Sequence, residues 1–287
     1  MNTSLDCIPC LIRQSLKIAR VASSDSAVHE AVLRDVLHLT SGMNLCQPPL
    51  VGKDMWHLVC KRIGVADPYL EIKKESNRHA LALYPQWKEK ALKSENPLLF
   101  ALKLSIAANS IDFGGSLDFQ TKQIPEALER SFEASLSSDS TEFLSAAKSA
   151  KDILFLADNA GELVFDRLLL ELLMPKKITV VVKGGPALND ALMADAQAAG
   201  LPGLLEVIDN GADLMGTQLP DCSPEFRKRF QNAELIISKG QANYESLEGC
   251  AKDIFFLLKV KCAIVAQHIG FPYGSLAICR NIPKSKN

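Results

Sequence analysis

The chain has 287 residues, of which 47% are hydrophobic, 23% charged and 6% aromatic, an ordinary globular composition with room for two modest domains or one large one. Lys plus Arg (32) and Asp plus Glu (33) leave a net charge of -1, which argues against a sequence-independent nucleic-acid binder. No run reaches 18 apolar residues: the longest, "IFFLLKVKCAIVA" from Ile254, carries Lys259 and Lys261 and reads as core rather than a membrane span.

The start of the chain has Asp6 and Pro9 where a signal peptide needs a basic start and an apolar run, so a cytoplasmic address is expected, with no membrane partner. Eight cysteines in such a chain are expected as reduced thiols rather than a disulfide framework. The oligomeric state is not readable from these features.

Up to about residue 150, helical periodicity dominates. "CLIRQSLKIARVA" from Cys10 places Leu11, Ile12, Leu16, Ile18 and Ala19 roughly on one stripe. "HEAVLRDVLHLT" from His29 and "MWHLVCKRIGV" from Met55 read the same way, with Pro48-Pro49 and Pro68 as punctuation. "PLLFALKLSIAANSIDFGG" from Pro97 is an apolar helix ending at a Gly pair, and Asp139, Ser140 and Thr141 offer an N-cap for a short helix. From about residue 150 the rhythm is strand then helix. Short β-rich runs occur at "DILFLA", "KITVVV", "LLEVID", "AELIIS" and "IFFLL", with helical stretches such as "ELVFDRLLLELL" and "ALNDALMADAQAAG" between them. The expected architecture is a helical N-terminal domain over 1–148 and, over 149–287, an α/β domain. The latter is a three-layer, Rossmann-like α/β/α fold with a mostly parallel sheet.

Right-handed crossovers collect the C-terminal ends of the strands on one edge, where ligands bind. Polar residues follow each run: Asp158, Asn159 and Glu162; Lys183, Gly184, Gly185, Asn189 and Asp190; Asp209, Asn210 and Gly211; Lys239, Gly240, Gln241 and Asn243; Lys259 and Lys261. These ends hold oxygen donors and lysines but no His and no Cys pair, which favours Mg or Mn over Zn. A metal beside lysines and helix-start N–H groups suits phosphoryl transfer to water. Blander uses exist for each residue. Asp158 or Asn159 can cap the following helix, Asp190 and Asp195 can sit in a first turn, Lys261 can snorkel, and Asp209-Asn210-Gly211 can be a turn. The chain lacks GxxxxGK[ST], a GxGxxG after the first strand, and GxSxG. Cys7-x-x-Cys10 opens a helix, and structural, metal and redox uses all stay open.

The strings "ADNAGELVFD", "VVKGGPALNDALMADA", "ISKGQANYESL" and "LLKVKCAIVA" resemble, in order and spacing, the metal-dependent damage-control phosphatases of the ARMT-like family. "DCIPCLIRQSL" and "AANSIDFG" look like its CxxC-bearing prokaryotic branch. The resemblance implies an α/β/α domain with a helical N-terminal part and a divalent cation (Mn, Mg, Co or Ni) held by Asp158, Asn159 and Asp190. It also implies phosphate and substrate contacts from Lys239, Gln241, Asn243, Glu245 and Lys261. Asn109 and Asp112 would reach the crevice from the helical part, and Glu162 is expected among the substrate-binding residues. The expected activity is hydrolysis of phosphomonoesters of small metabolites, with Asp158, Asn159, Lys239 and Lys261 in catalytic roles. The alternatives are a methyltransferase using S-adenosylmethionine, with Asp209 on the ribose, and a non-enzymatic metal or nucleotide sensor.

Overall fold

The computed structural model describes residues 3–43, 48–109, 124–137 and 140–282. Asp112 and Asp139 fall outside them. Seven helices come first: α1 (Cys7–Ala22), α2 (Ser26–Ser41), α3 (Pro48–Ile63), α4 (Leu70–Leu92), α5 (Pro97–Ala108), α6 (Ile124–Glu133) and α7 (Ser140–Ser149). Their starts follow local chemistry. The Asp25 carboxylate accepts from Ala27 N–H at 2.8 Å to cap α2, and the Asn96 side chain accepts from Leu99 N–H at 3.1 Å to cap α5, with Pro97 at its first position. Pro48-Pro49 opens α3 rather than separating two elements.

The α/β part then runs β1 (Asp152–Leu156), α8 (Glu162–Leu173), β2 (Lys177–Val182), α9 (Met193–Ala198), β3 (Glu206–Asp209), α10 (Pro224–Asn232), β4 (Leu235–Lys239), α11 (Gln241–Leu247), β5 (Ile254–Lys259), α12 (Ala263–Ile269) and β6 (Leu276–Asn281). The sheet order is β3-β2-β1-β4-β5-β6. The first five strands pair in parallel and β6 pairs antiparallel with β5. The fold is α/β with a mostly parallel sheet, as the strand–helix rhythm leads one to expect. The chain winds outward from β1 to β3, then returns to the other side of β1 with β4. The gap between the C-terminal ends of β1 and β4 is therefore the topological switch point.

One apolar core lies on the face covered by α4, α5 and α8. It joins Trp87, Leu102 and Leu104 to Phe155, Leu163, Phe165, Val180 and Ile237. The opposite face packs Phe226, Phe230 and Tyr244 on Leu154, Ile236 and Phe256. A third cluster, around Ile18, Val36, Met55 and Trp56, holds α1 to α3 together. It reaches the α/β part through the Trp56 indole N–H, which donates to the Pro186 carbonyl at 3.0 Å.

Candidate functional site

β1 ends at Leu156, and the chain then carries Asp158 and Asn159 into the switch point. The loop after β2 comes back alongside. Asn159 and Asp190 form an antiparallel bridge, Ala191 N–H donates to the Asp158 carbonyl at 2.7 Å, and Ala160 N–H donates to the Asn189 carbonyl at 2.9 Å. The three oxygen-bearing side chains expected as ligands thus sit on two loops laced to each other. Neither Asp158 nor Asn159 caps α8. That position belongs to Gly161, at φ +76° and without a side-chain cap bond. Asp190 precedes α9 rather than lying in its first turn, and Asp195 takes that place, accepting from Leu192 N–H at 2.8 Å.

Gly240, opposite Asp158 at the end of β4, has φ +82°, and a Cβ placed there would stand 2.0 Å from Asp158 Oδ2. Only glycine lets the β4–α11 turn come this close to the carboxylate.

Beneath the loops lies a buried charge network. Asn109, at the end of α5, donates through Nδ2 to Asp158 Oδ2 (2.8 Å) and Glu162 Oε2 (2.9 Å). The Asn159 amide donates to the same two oxygens at 2.7 and 2.9 Å. Lys239 is fully buried and its ammonium has four partners: Ser105 O and Oγ (both 2.7 Å), Asp166 Oδ1 (2.6 Å) and Glu162 Oε1 (2.8 Å). Lys183 Nζ stands 3.4 Å from Asp190 Oδ2 and also donates to the Gly216 carbonyl.

Four buried carboxylates (Asp158, Glu162, Asp166, Asp190) face two buried ammonium groups, Lys239 and Lys183. If these six groups are all ionised, a charge of two minus is left over among them; Lys73, itself paired with Asp67, and Lys261 act on the cluster as more distant positive charges. The imbalance shows in the proton affinities. Burial, then Glu162 and Asp190, pushes the Asp158 carboxyl up to about 7. Burial pushes Asp190 up to about 6, against the pull of Lys183, and Asp166 up to about 6, against Lys239. Burial also acts to raise Glu162, but Lys239 and the two amides outweigh it and hold that carboxyl down.

A dication would supply the missing charge, and Asp190 Oδ2, buried with no hydrogen bond of normal length and only the Lys183 ammonium at 3.4 Å against it, could serve as a donor atom to it. Among the described residues no group of three or more His, Cys, Asp or Glu side chains could hold a metal by itself. The fit therefore rests on a mixed set of two carboxylates and the Asn159 carboxamide. All three are hard oxygen donors of the kind Mg or Mn takes.

The remaining expected residues divide. Lys261 is exposed at the crevice mouth, near enough to Asp158 to favour its charged form. Its backbone N–H donates to Gln241 Oε1 at 3.3 Å, and Gln241 Nε2 donates to Glu245 Oε1 at 2.8 Å. Burial pushes the Glu245 carboxyl up to about 7. Asn243 is spent internally: its Nδ2 donates to the Ala157 and Lys239 carbonyls at 3.2 and 2.8 Å, and its Oδ1 accepts from Thr217 at 2.7 Å. It staples the end of β1 to the end of β4. Lys239 and Glu162 are likewise tied up beneath the crevice, so in the structure neither faces its mouth. Asp209 is exposed and accepts from Gly211 N–H at 2.9 Å, the geometry of a turn.

Sequence reasoning passed over Asp166, Asn77 and Ser105, and named Lys183 without giving it a role. Asp166 had a signal, since it follows Glu162 by four residues and so shares a face of α8 with it. Lys183 was visible at a strand end. Asn77 and Ser105 carried none. The Cys7 thiol is pushed up by burial and then by Glu245, Cys262 and Cys10, and Cys10 is exposed. Such a thiol is a poor nucleophile at neutral pH.

Comparison with known proteins identifies the family. The Damage-control phosphatase ARMT1-like domain matches residues 3–276. A damage-control phosphatase of Pyrococcus horikoshii is 33% identical over 98% of this chain and 99% of its own. One of Archaeoglobus fulgidus is 31% identical over 96% and 98%. The crystal structure of a DUF89 family protein from Pyrococcus horikoshii superposes with a TM-score of 0.88 at 32% identity, covering 98% of this chain and 99% of that one. With a family match across nearly all of its length and relatives above 30% identity, the chain belongs to the ARMT1-like damage-control phosphatase family.

Proposed function

We propose that the protein is a divalent-metal-dependent phosphatase that hydrolyses phosphomonoesters of small metabolites. The observation that carries this reading is the convergence of Asp158, Asn159 and Asp190 on two laced loops above a buried network two positive charges short of balance. Asp158, Asn159 and Asp190 would hold the cation, which when bound supplies Lewis-acid polarisation of a phosphoryl oxygen. Asn109 holds the Asp158 carboxylate through Oδ2, and that carboxylate would orient an attacking water. Lys261 at the mouth offers positive charge to the incoming phosphate. Lys239 acts from below: it neutralises Glu162 and Asp166 and so keeps Asn109 and Asn159 in place.

The test is turnover of p-nitrophenyl phosphate with Mn, Mg, Co or Ni, with and without EDTA. Turnover is expected to require metal. Asp158→Ala and Asp190→Ala are expected to lose at least about 100-fold of it while keeping the far-ultraviolet circular dichroism of the parent. Full activity in both folded variants would rule out this ligand set.

A further inference from the structure

α4 buries one long stripe. Its C-terminal half, Ala80, Tyr84, Trp87 and Ala91, is apolar, but the same stripe continues toward the N-terminus as Lys73, Ser76 and Asn77, all buried as well. Buried polar groups on a packing stripe cost stability unless they are matched. Lys73 is matched by Asp67 at 2.7 Å, and the Ser76 hydroxyl donates to Ile72 O at 2.7 Å. Asn77 is different, because its two ends serve two other elements. Its Oδ1 accepts from Gly161 N–H at 2.8 Å and its Nδ2 donates to Asp195 Oδ1 at 2.6 Å. Gly161 closes the loop that carries Asp158 and Asn159. Asp195, through its other oxygen, accepts from Leu192 N–H at 2.8 Å, at the end of the loop that carries Asp190.

We propose that Asn77 is a positioning residue for the metal site, a single carboxamide in the helical part that sets the spacing of the two ligand-bearing loops. The inference rests on the metal-site reading above. Asn77 touches none of the three ligands. It holds the far end of each loop while the Asn159–Asp190 bridge holds the near end, so the ligands are fixed from both sides. Groups that orient ligands in this way typically change metal affinity about 10- to 100-fold when removed.

The experiment exchanges the two partners. In Asn77→Asp with Asp195→Asn, an amide at 195 can donate to the carboxylate at 77 and accept from Leu192 N–H, and the carboxylate at 77 can accept from Gly161 N–H. All three bonds are restored with no net change of charge. Mn affinity is read by electron paramagnetic resonance of free Mn, with fold checked by thermal unfolding. Asn77→Ala is expected to weaken Mn binding about 10- to 100-fold, with kcat near that of the parent once Mn is saturating. Asn77→Asp alone is expected to weaken it as well, although its added negative charge would by itself draw a cation closer. The double exchange is expected to return affinity to within a few-fold of the parent. Should Asn77→Asp not fold, Asn77→Ser, too short to reach Asp195, takes its place.

Parent-like Mn affinity in Asn77→Ala, or a folded double exchange that stays as weak as the single variants, overturns the proposal. If the parent chain itself binds no Mn, the metal-site reading falls, and the proposal that depends on it falls with it.

Discussion

Lys239 lies beneath the candidate site without facing it. Its ammonium meets two carboxylates and a carbonyl with no exposure to solvent, so removing it leaves two buried charges unmatched. Lys239→Met is expected to cost about 3–5 kcal/mol in urea unfolding. Adding Asp166→Asn should recover part of that loss, because the single variant's cost lies in the carboxylates left behind. Glu245 makes a complementary case for pH. Its carboxyl is raised to about 7 by burial, so between the ordinary Glu value and 7 the folded chain holds a proton that the unfolded chain has released. Its contribution is therefore present at low pH and lost as pH rises through 7. Glu245→Gln keeps an acceptor for Gln241 and removes the ionisation. It is expected to leave thermal stability at pH 5 nearly unchanged and to raise it at pH 8 by on the order of 2 kcal/mol. At this scale the sequence was legible where side-chain chemistry follows a strand, as with Asp158, Asn159 and Asp190. It was not legible where the partner lies 134 residues away, as Ser105 does from Lys239, since no local pattern records such a meeting.

At the scale of elements, the turn between β4 and α11 is the most constrained. Gly240→Ala would put a methyl against Asp158 at a left-handed backbone position. It is expected to abolish Mn binding and lower the melting temperature by several degrees, both readable in one fluorimetric titration. The parallel strands were readable because they are short continuous apolar runs: β2 is Lys177–Val182, as the run "KITVVV" suggests. β6 was missed because it is an antiparallel edge strand with Cys279, Arg280 and Asn281 at its end, and it lacks the apolar run that marks a buried strand. α4 was passed over because its apolar stripe is diluted by charged residues and interrupted by Pro85. α9 starts at Met193, later than the helical stretch beginning at Ala187, because the backbone around Asp190 is engaged with the β1–α8 loop. In that case a tertiary contact overrides local propensity.

For the molecule as a whole, the shift of rhythm near residue 150 is real in the order of elements, yet the main core runs across it. Leu102 and Trp87 share that core with Phe155 and Ile237. α1 to α3 have their own smaller cluster. Hydrogen exchange should reflect the difference. Amides of β1, β2 and β4 are expected to open only with global unfolding, and those of α1 and α2 through a smaller, cheaper opening. Equal protection in both sets would show that the smaller cluster has no independence.

The Ser105–Lys239 contact has a further consequence for how the chain is made. During synthesis α5 leaves the ribosome long before β4 exists, and the carboxylates of α8 follow with their counterion still untranslated. Until residue 239 emerges, the helices have no finished surface to settle on, so the N-terminal half is expected to wait as a loosely packed intermediate rather than fold ahead of the rest.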